Sequence, residues 1–193
     1  QLQFNQIEDL NQIDETVAAV IIEPVQGEAG VVLPEPEFLY RLRQRCDQTN
    51  SLLIFDEIQT GLGRTGSMFA FEKYKTVPDV LCLAKALGGG MPIGAFISSK
   101  KMMDTLAYDP SLGHITTFGG NPVSAAAACA VLEILQNEID ISASDEKARR
   151  LIDRLENFKV INEVRFSGLL IAVEFHHLNQ ADRALQLFWE NCL

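Results

Sequence analysis

Short apolar runs alternate with amphipathic helical segments along the first part of the chain. The run at residues 17–22 is continuous, which is typical of a strand buried on both faces of a sheet. A helical pattern follows from Pro36, and Asn121 with the proline after it opens a longer helix. Buried strands separated by helices predict a parallel α/β sheet. The other predicted strands lie at residues 52–55, 80–83 and 94–97.

The pattern changes after the helix that opens at Asn121. Glycine and proline are frequent in the earlier part of the chain, whereas Gly168 is the only residue of either type after Pro122. We therefore predict two domains, a partial α/β domain over residues 1–138 and part of a small α+β domain over residues 139–193. The elements predicted in the second domain are a helical stripe, two strands and a helix, at residues 148–158, 160–164, 169–175 and from Gln180.

Composition and charge exclude several classes of protein. Lys and Arg total 16 against 26 Asp and Glu, so the net charge is −10, which repels nucleic acid and anionic membrane surfaces. No apolar run approaches the roughly 18–20 residues that span a bilayer, and the first residues do not resemble a signal peptide. Four widely spaced cysteines indicate reduced thiols. We predict a cytoplasmic protein that binds neither nucleic acid nor membranes.

Polar clusters follow three of the predicted strands, at the edge where open parallel sheets gather their ligands. Lys85 stands between a buried strand and the glycines of Gly88–Gly90, so its surroundings are apolar, and desolvation makes an amine nucleophilic. Asp56 ends a neighbouring strand, where a carboxylate can hold a protonated ring nitrogen. Together they suggest a carbonyl-bearing cofactor bound through a Schiff base. The three clusters are residues 23–28, 56–59 and 84–85.

Simpler interpretations stay open at this point. A lysine such as Lys85 is more often a solvated surface group, and an aspartate such as Asp56 is commonly a helix cap. The glycines could form a plain loop or the phosphate cradle of a nucleotide-binding module, although neither GxGxxG nor GxxxxGK[ST] occurs. Ser98 lacks a nucleophile elbow. No metal site is predicted, because the histidines lack ligand spacing: His114, His176 and His177.

Four ordered strings resemble class III aminotransferases, above all the acetylornithine and ornithine aminotransferases. They are EPVQGEAGV from Glu23, DEIQTGLGRTG from Asp56, DVLCLAKALGGGMPIGA from Asp79 and TFGGNP from Thr117. The resemblance implies a pyridoxal 5'-phosphate (PLP) enzyme of fold type I. Its fold would be α/β, a mostly parallel sheet with helices on both faces in a partial large domain, followed by part of a small α+β domain.

The resemblance also implies a role for each matching residue. Lys85 would hold PLP as a Schiff base and carry the proton between substrate and cofactor. Asp56 would contact the pyridine nitrogen, and Gln59 the phenolic oxygen. Thr117 would reach the cofactor phosphate of a neighbouring subunit, which implies a homodimer with shared active sites. Glu28 would lie near the substrate carboxylate and pair with a mobile arginine.

The implied reaction moves an amino group from acetylornithine, ornithine or a related ω-amine to a 2-oxo acid such as 2-oxoglutarate. Residues 1–193 lack the family's phosphate cup, its ring-stacking aromatic residue and its carboxylate-binding arginine, since Arg165 matches a structural stretch. We interpret the chain as a fragment lacking both ends and expect it to be inactive alone. Alternatives are a PLP-dependent aminomutase, a decarboxylating relative or a non-catalytic remnant.

Overall fold

The computed structural model of the protein describes residues 1–108 and 115–192, and of Cys192 it describes the backbone alone. Four strands form one sheet in the order β1–β2–β3–β4. The first three are parallel, and β4 is antiparallel to β3. The predicted mostly parallel sheet is thus confirmed. The strands are β1 (Ala19–Ile22), β2 (Leu52–Asp56), β3 (Val80–Leu83) and β4 (Ala95–Ser98).

The described residues form six α-helices, and the sequence analysis predicted a structural feature of two of them. The first buries the predicted apolar face, which consists of Phe38, Leu39, Leu42 and Cys46. Asn121 caps the fourth, because its Oδ1 accepts the N–H groups of Val123 at 3.0 Å and Ser124 at 3.2 Å. The helices are α1 (Phe38–Thr49), α2 (Ala70–Tyr74), α3 (Lys100–Asp104), α4 (Pro122–Asn137), α5 (Ser144–Leu155) and α6 (Leu178–Cys192).

The two faces of the large sheet differ in burial. One face packs against α1 and is buried at Leu53, Phe55, Leu81 and Leu83. On the other face Ile21 is 66% exposed and Phe96 is 47% exposed. The prediction that residues 17–22 form a strand buried on both faces is therefore wrong. β1 is shorter than the predicted strand and lies at the edge of the sheet. It presents Ile21 on a face that the described residues leave partly open.

The later part of the chain contains a second, two-stranded antiparallel sheet, β5 (Ile161–Ser167) with β6 (Leu170–Phe175). Its turn is at Gly168, where a Cβ would lie 2.5 Å from the carbonyl carbon of Thr65. The turn is therefore docked against the segment that follows β2. Helices α5 and α6 pack on this sheet. The domain boundary near residue 138 stays a prediction. No helix in the described ranges is long and apolar enough to cross a membrane.

Candidate functional site

The carboxyl ends of β1, β2 and β3 lie side by side, so the three predicted polar clusters come to one edge of the sheet. Ile22 pairs with Phe55, and Asp56 pairs with Cys82. Glu23 therefore follows the first strand at this edge, Asp56 ends the second, and Lys85 follows the third. This is the edge at which open α/β sheets bind ligands.

Lys85 is the first residue of a short 3₁₀-helix, Lys85–Gly88. The backbone of Lys85 itself lies in the left-handed region, with φ +46°. An L-residue in this region costs about 1–2 kcal/mol, and such strain is concentrated at functional sites. Helix α4 supports this turn closely, since a Cβ at Gly89 would lie 2.8 Å from Val131. The Lys85 side chain is exposed. The prediction that its apolar neighbours in sequence desolvate the amine is therefore wrong for the described residues.

Lys85 and Gln59 line the same cavity, of about 290 Å³, between the sheet edge and the β5–β6 hairpin. The charged and polar side chains of its lining are Gln59, Arg64 and Lys85. The rest of the lining is apolar: Ile58, Gly61, Ala86, Leu169, Leu170 and Ile171. The cavity is thus lined by the predicted Lys85 and by a second cationic residue, Arg64, which the sequence analysis did not select.

Asp56 lines a different cavity, of about 420 Å³, beside β1 and together with Glu23 and Gln26. Its Oδ1 accepts the N–H of Ile58 at 3.0 Å, so Asp56 caps the turn after β2. The simpler interpretation of Asp56 as a helix cap is wrong, because no helix of the described residues begins at this turn. Within the described residues its Oδ2 accepts no hydrogen bond. One carboxylate oxygen is therefore structural and the other is available to a ligand.

Gln59 and Glu28 are brought together by the fold. The Nε2 of Gln59 donates to the Oε1 of Glu28 at 3.0 Å. This contact needs Gly27, because a Cβ there would lie 2.9 Å from the Oε1 of Gln59. The same loop holds the buried Val31 at φ +54°, a conformation that β-branched residues rarely adopt. The sequence indicated both residues but not their hydrogen bond.

Thr117 lies apart from the other predicted site residues. It is exposed in the turn that precedes α4, next to Phe118, which is 82% exposed. It lines neither of the two cavities described above. A role toward a neighbouring subunit stays a prediction for Thr117.

Glu57 is a buried carboxylate to which the sequence analysis assigned no role. It is 1% exposed and accepts the N–H groups of Ala70 at 2.6 Å and Phe71 at 2.8 Å, and the hydroxyl of Thr60 at 3.2 Å. Burial raises the pKa of Glu57, and these hydrogen bonds oppose that shift. Glu57 therefore fastens the start of α2 to the segment that carries the site. In the sequence, Glu57 lies between the predicted site residues Asp56 and Gln59, and this position was a signal that could have identified it.

Replacing Glu57 with glutamine is expected to lower the free energy of unfolding by about 1–3 kcal/mol. Glutamine offers one acceptor oxygen where two buried backbone N–H groups each need one, so one of them loses its partner. Chemical denaturation measures the loss. Glu72→Gln is the matched control, because its exposed side chain still accepts the N–H of Phe69 as glutamine. Equal stability of Glu57→Gln and the unsubstituted protein would contradict this role.

Arg165 is held in structural contacts, in agreement with the expectation that it is not a substrate residue. Its Nε donates to the carbonyl of Gly30 at 2.8 Å, and its guanidinium pairs with Glu163 and, at 2.6 Å, with Glu174. Arg165 thus ties the β5–β6 hairpin to the loop that carries Glu28.

Cysteine and histidine contribute no metal site within the part of the chain that the structure describes. No group of three or more His, Cys, Asp or Glu residues there could hold a metal ion. His114 lies outside the described residues. The described cysteine side chains are free thiols: Cys46, Cys82 and Cys129.

Comparison with known proteins defines the family. The family model described as aminotransferase class-III matches residues 1–191. The acetylornithine aminotransferase of Clostridium acetobutylicum is 46% identical over 179 residues, which are 90% of this chain and 46% of that protein. The chain therefore belongs to the class-III aminotransferase family, and it spans about half the length of this relative.

Solved structures agree with this assignment. The acetylornithine aminotransferase of Elizabethkingia anophelis has a TM-score of 0.85 at 34% identity, covering 96% of this chain and 48% of its own. An ornithine aminotransferase of Toxoplasma gondii, described with partial occupancy of PLP at its active site, has a TM-score of 0.82 at 38% identity. The match to the latter covers 90% of this chain and 42% of that one. The fold is thus that of PLP-dependent aminotransferases of fold type I.

The residues at the strand ends fit PLP, the cofactor on which class-III aminotransferases depend. Lys85 offers an exposed primary amine for the cofactor's carbonyl carbon. Asp56 has a carboxylate oxygen free to accept a ring N–H, and the Gln59 amide can contact a ring oxygen. The donor set therefore matches the chemistry of the cofactor.

Proposed function

We propose that the protein is an aminotransferase that moves an amino group from acetylornithine, ornithine or a related ω-amine to a 2-oxo acid such as 2-oxoglutarate. One observation carries the proposal: a strained, left-handed Lys85 stands at the carboxyl end of a parallel sheet and lines a cavity with Gln59. The names of the relatives support the choice of amine donor.

The proposed roles follow from where each side chain stands. PLP, when bound, supplies an electron sink for the bond that breaks at the substrate carbon. Lys85 holds the cofactor covalently and then carries the proton at its Nζ. Asp56 accepts the ring N–H through its free oxygen and so keeps that nitrogen protonated. Gln59 contacts the ring oxygen, and its hydrogen bond to Glu28 orients the acid beside the substrate.

The proposal also covers the oligomeric state of the protein, its division into domains and its location in the cell. Thr117 binds the cofactor phosphate of a partner subunit, which makes the protein a homodimer with shared active sites; its exposed turn supports this role. Residues 1–138 belong to the large cofactor-binding domain and residues 139–193 to the small domain. The protein works in the cytoplasm on small-molecule amino and 2-oxo acids.

The test uses the full-length protein that contains these residues, supplied with PLP. Borohydride reduction followed by peptide mapping is expected to find the cofactor-derived mass on Lys85, because the exposed amine follows the sheet edge. An amine-donor screen with 2-oxoglutarate then identifies the substrate. Label on Lys73, Lys75 or Lys100 instead would refute the assignment. Labelled Lys85 without turnover on any amino acid would favour the non-catalytic alternative.

A further inference from the structure

Glu57 is a buried carboxylate in the turn that carries two of the residues proposed to contact the cofactor. Buried and less buried side chains alternate along β2, and Glu57 continues this alternation beyond the end of the strand. Its side chain therefore lies on the buried face with that of Phe55, whereas Asp56 lies on the opposite face and lines the cavity of about 420 Å³. A charged side chain on a buried face is costly unless hydrogen bonds replace the lost water.

Hydrogen bonds fix Glu57 through both its backbone and its side chain. Its N–H donates to the carbonyl of Cys82 at 3.0 Å, and its own carbonyl accepts the N–H of Gly61 at 3.0 Å. The turn is tight at its end, since a Cβ at Gly61 would lie 3.0 Å from that carbonyl oxygen. The carboxylate accepts two backbone N–H groups at the start of α2 and one hydroxyl, as described above. Glu57 therefore anchors the turn of residues 57–61 from its buried side.

The contacts of the Glu57 side chain require both the length and the charge of glutamate. The three groups that contact it are all donors, and an ionised carboxylate accepts all three. Glutamine has one acceptor oxygen, and its amide N–H would face another N–H. Aspartate keeps the charge but is one methylene shorter, so at least one of the two backbone N–H groups loses its partner. Both substitutions therefore weaken the anchor, and only the first removes the charge.

Asp56 and Gln59 extend from the turn that Glu57 anchors. The Oδ1 of Asp56 accepts the N–H of Ile58 at 3.0 Å, and the Nε2 of Gln59 donates to Glu28 at 3.0 Å, so both side chains are oriented relative to this backbone. Residues that contact a ligand must be held within about 0.5 Å of their productive position. A shift of the turn would therefore displace both proposed cofactor contacts together.

We propose that Glu57 is a positioning residue for the cofactor, because it anchors the turn that holds Asp56 at the ring nitrogen and Gln59 at the ring oxygen of PLP. This inference rests on the proposed aminotransferase function. Glu57 acts through these two residues, since its own carboxylate is engaged with the protein and lines neither cavity at the sheet edge. Its effect is expected in the affinity for PLP and in the protonation of the bound cofactor, in addition to stability.

The experiment uses the full-length protein freed of cofactor. Spectroscopic titration measures the Kd of PLP and the pH midpoint of the absorbance change of the bound cofactor, at a temperature where every variant is folded. Glu57→Gln is expected to raise the Kd about 10-fold, the lower end of what supporting contacts contribute in metal sites. The pH midpoint should move upward, because a less protonated ring withdraws less electron density from the nitrogen bonded to Lys85. Glu57→Asp should change both quantities in the same directions.

Asp79→Asn is the matched control for lost stability. Asp79 contacts the N–H of Leu53 and the guanidinium of Arg43 near the start of β2, at the opposite end of the strand from the turn. This variant should leave the Kd of PLP and the pH midpoint unchanged. An equal rise of the Kd in Asp79→Asn would overturn the inference, since general destabilisation would then explain the effect. Binding of PLP by Glu57→Asp as tight as that of the unsubstituted protein would also overturn it, because charge and not anchoring would then matter.

The remaining outcomes distinguish this inference from the proposed function. If the protein turns over an amine donor and Glu57→Gln changes neither the Kd of PLP nor the pH midpoint, the positioning role is wrong and the aminotransferase function stands. If the protein binds PLP but turns over no amino acid, and its Kd still depends on Glu57, the aminotransferase function is wrong and the positioning role stands.

Discussion

Replacing Lys85 with alanine is expected to lower turnover by about 10⁴-fold or more in the full-length protein, since one change removes both the covalent attachment and the amine that carries the proton. Steady-state kinetics with an amine donor and 2-oxoglutarate measures the loss. Lys100→Ala is the matched control, because Lys100 is an exposed lysine on α3 that pairs with Asp104 at 2.9 Å. Turnover of Lys85→Ala close to that of the control would refute the central role of Lys85.

Lys85→Gly separates the chemistry from the backbone strain at this position. Both variants lack the amine and should be inactive, but glycine adopts φ +46° without the clash that alanine suffers. Lys85→Gly is therefore expected to be about 1 kcal/mol more stable than Lys85→Ala. Chemical denaturation of the two variants checks this. Equal stability would mean that the left-handed turn is not strained.

Replacing Asp56 with asparagine is expected to lower turnover by about 10²–10³-fold or more, with little change in stability. Asparagine keeps the oxygen that accepts the Ile58 N–H at 3.0 Å, so the turn after β2 survives. It removes the negative charge that holds a ring nitrogen protonated. Kinetics and denaturation of the same variant measure the two effects separately.

Asp79→Asn is the matched control for this variant. The Oδ2 of Asp79 accepts the N–H of Leu53 and a guanidinium N–H of Arg43, each at 2.7 Å, so its role is structural. Its replacement should lower stability and leave the turnover of the folded protein largely intact. An active Asp56→Asn variant would show that Asp56 acts as a turn cap and nothing more.

Local patterns predicted much of the fold. The apolar runs at residues 52–55 and 80–83 became β2 and β3, and the helical stripe from Phe38 became the buried face of α1. Asn121 caps α4 as predicted, because a cap depends on neighbours two and three residues away. The spacing of the four family motifs likewise indicated the family and the candidate residues.

Predictions that depended on neighbours distant in sequence were less complete. The run at residues 17–22 is apolar, but whether both of its faces are buried depends on which elements cover the sheet. The antiparallel direction of β4 depends on how the chain returns after the turn at Lys85. Periodicity describes a strand and not its partners.

Patterns within a few positions of the chain were enough to predict the strands, the Asn121 cap of α4 and the identity of the residues at the sheet edge, because these features depend on neighbouring side chains. Which of these residues meet depends on the fold of the whole chain. Glu28 and Gln59 are 31 positions apart, and the Leu169 N–H reaches Arg64 from the far hairpin. Glu57 shows its role only once α2 is folded back onto it. Such contacts are set by strand order and docking, which no local pattern encodes.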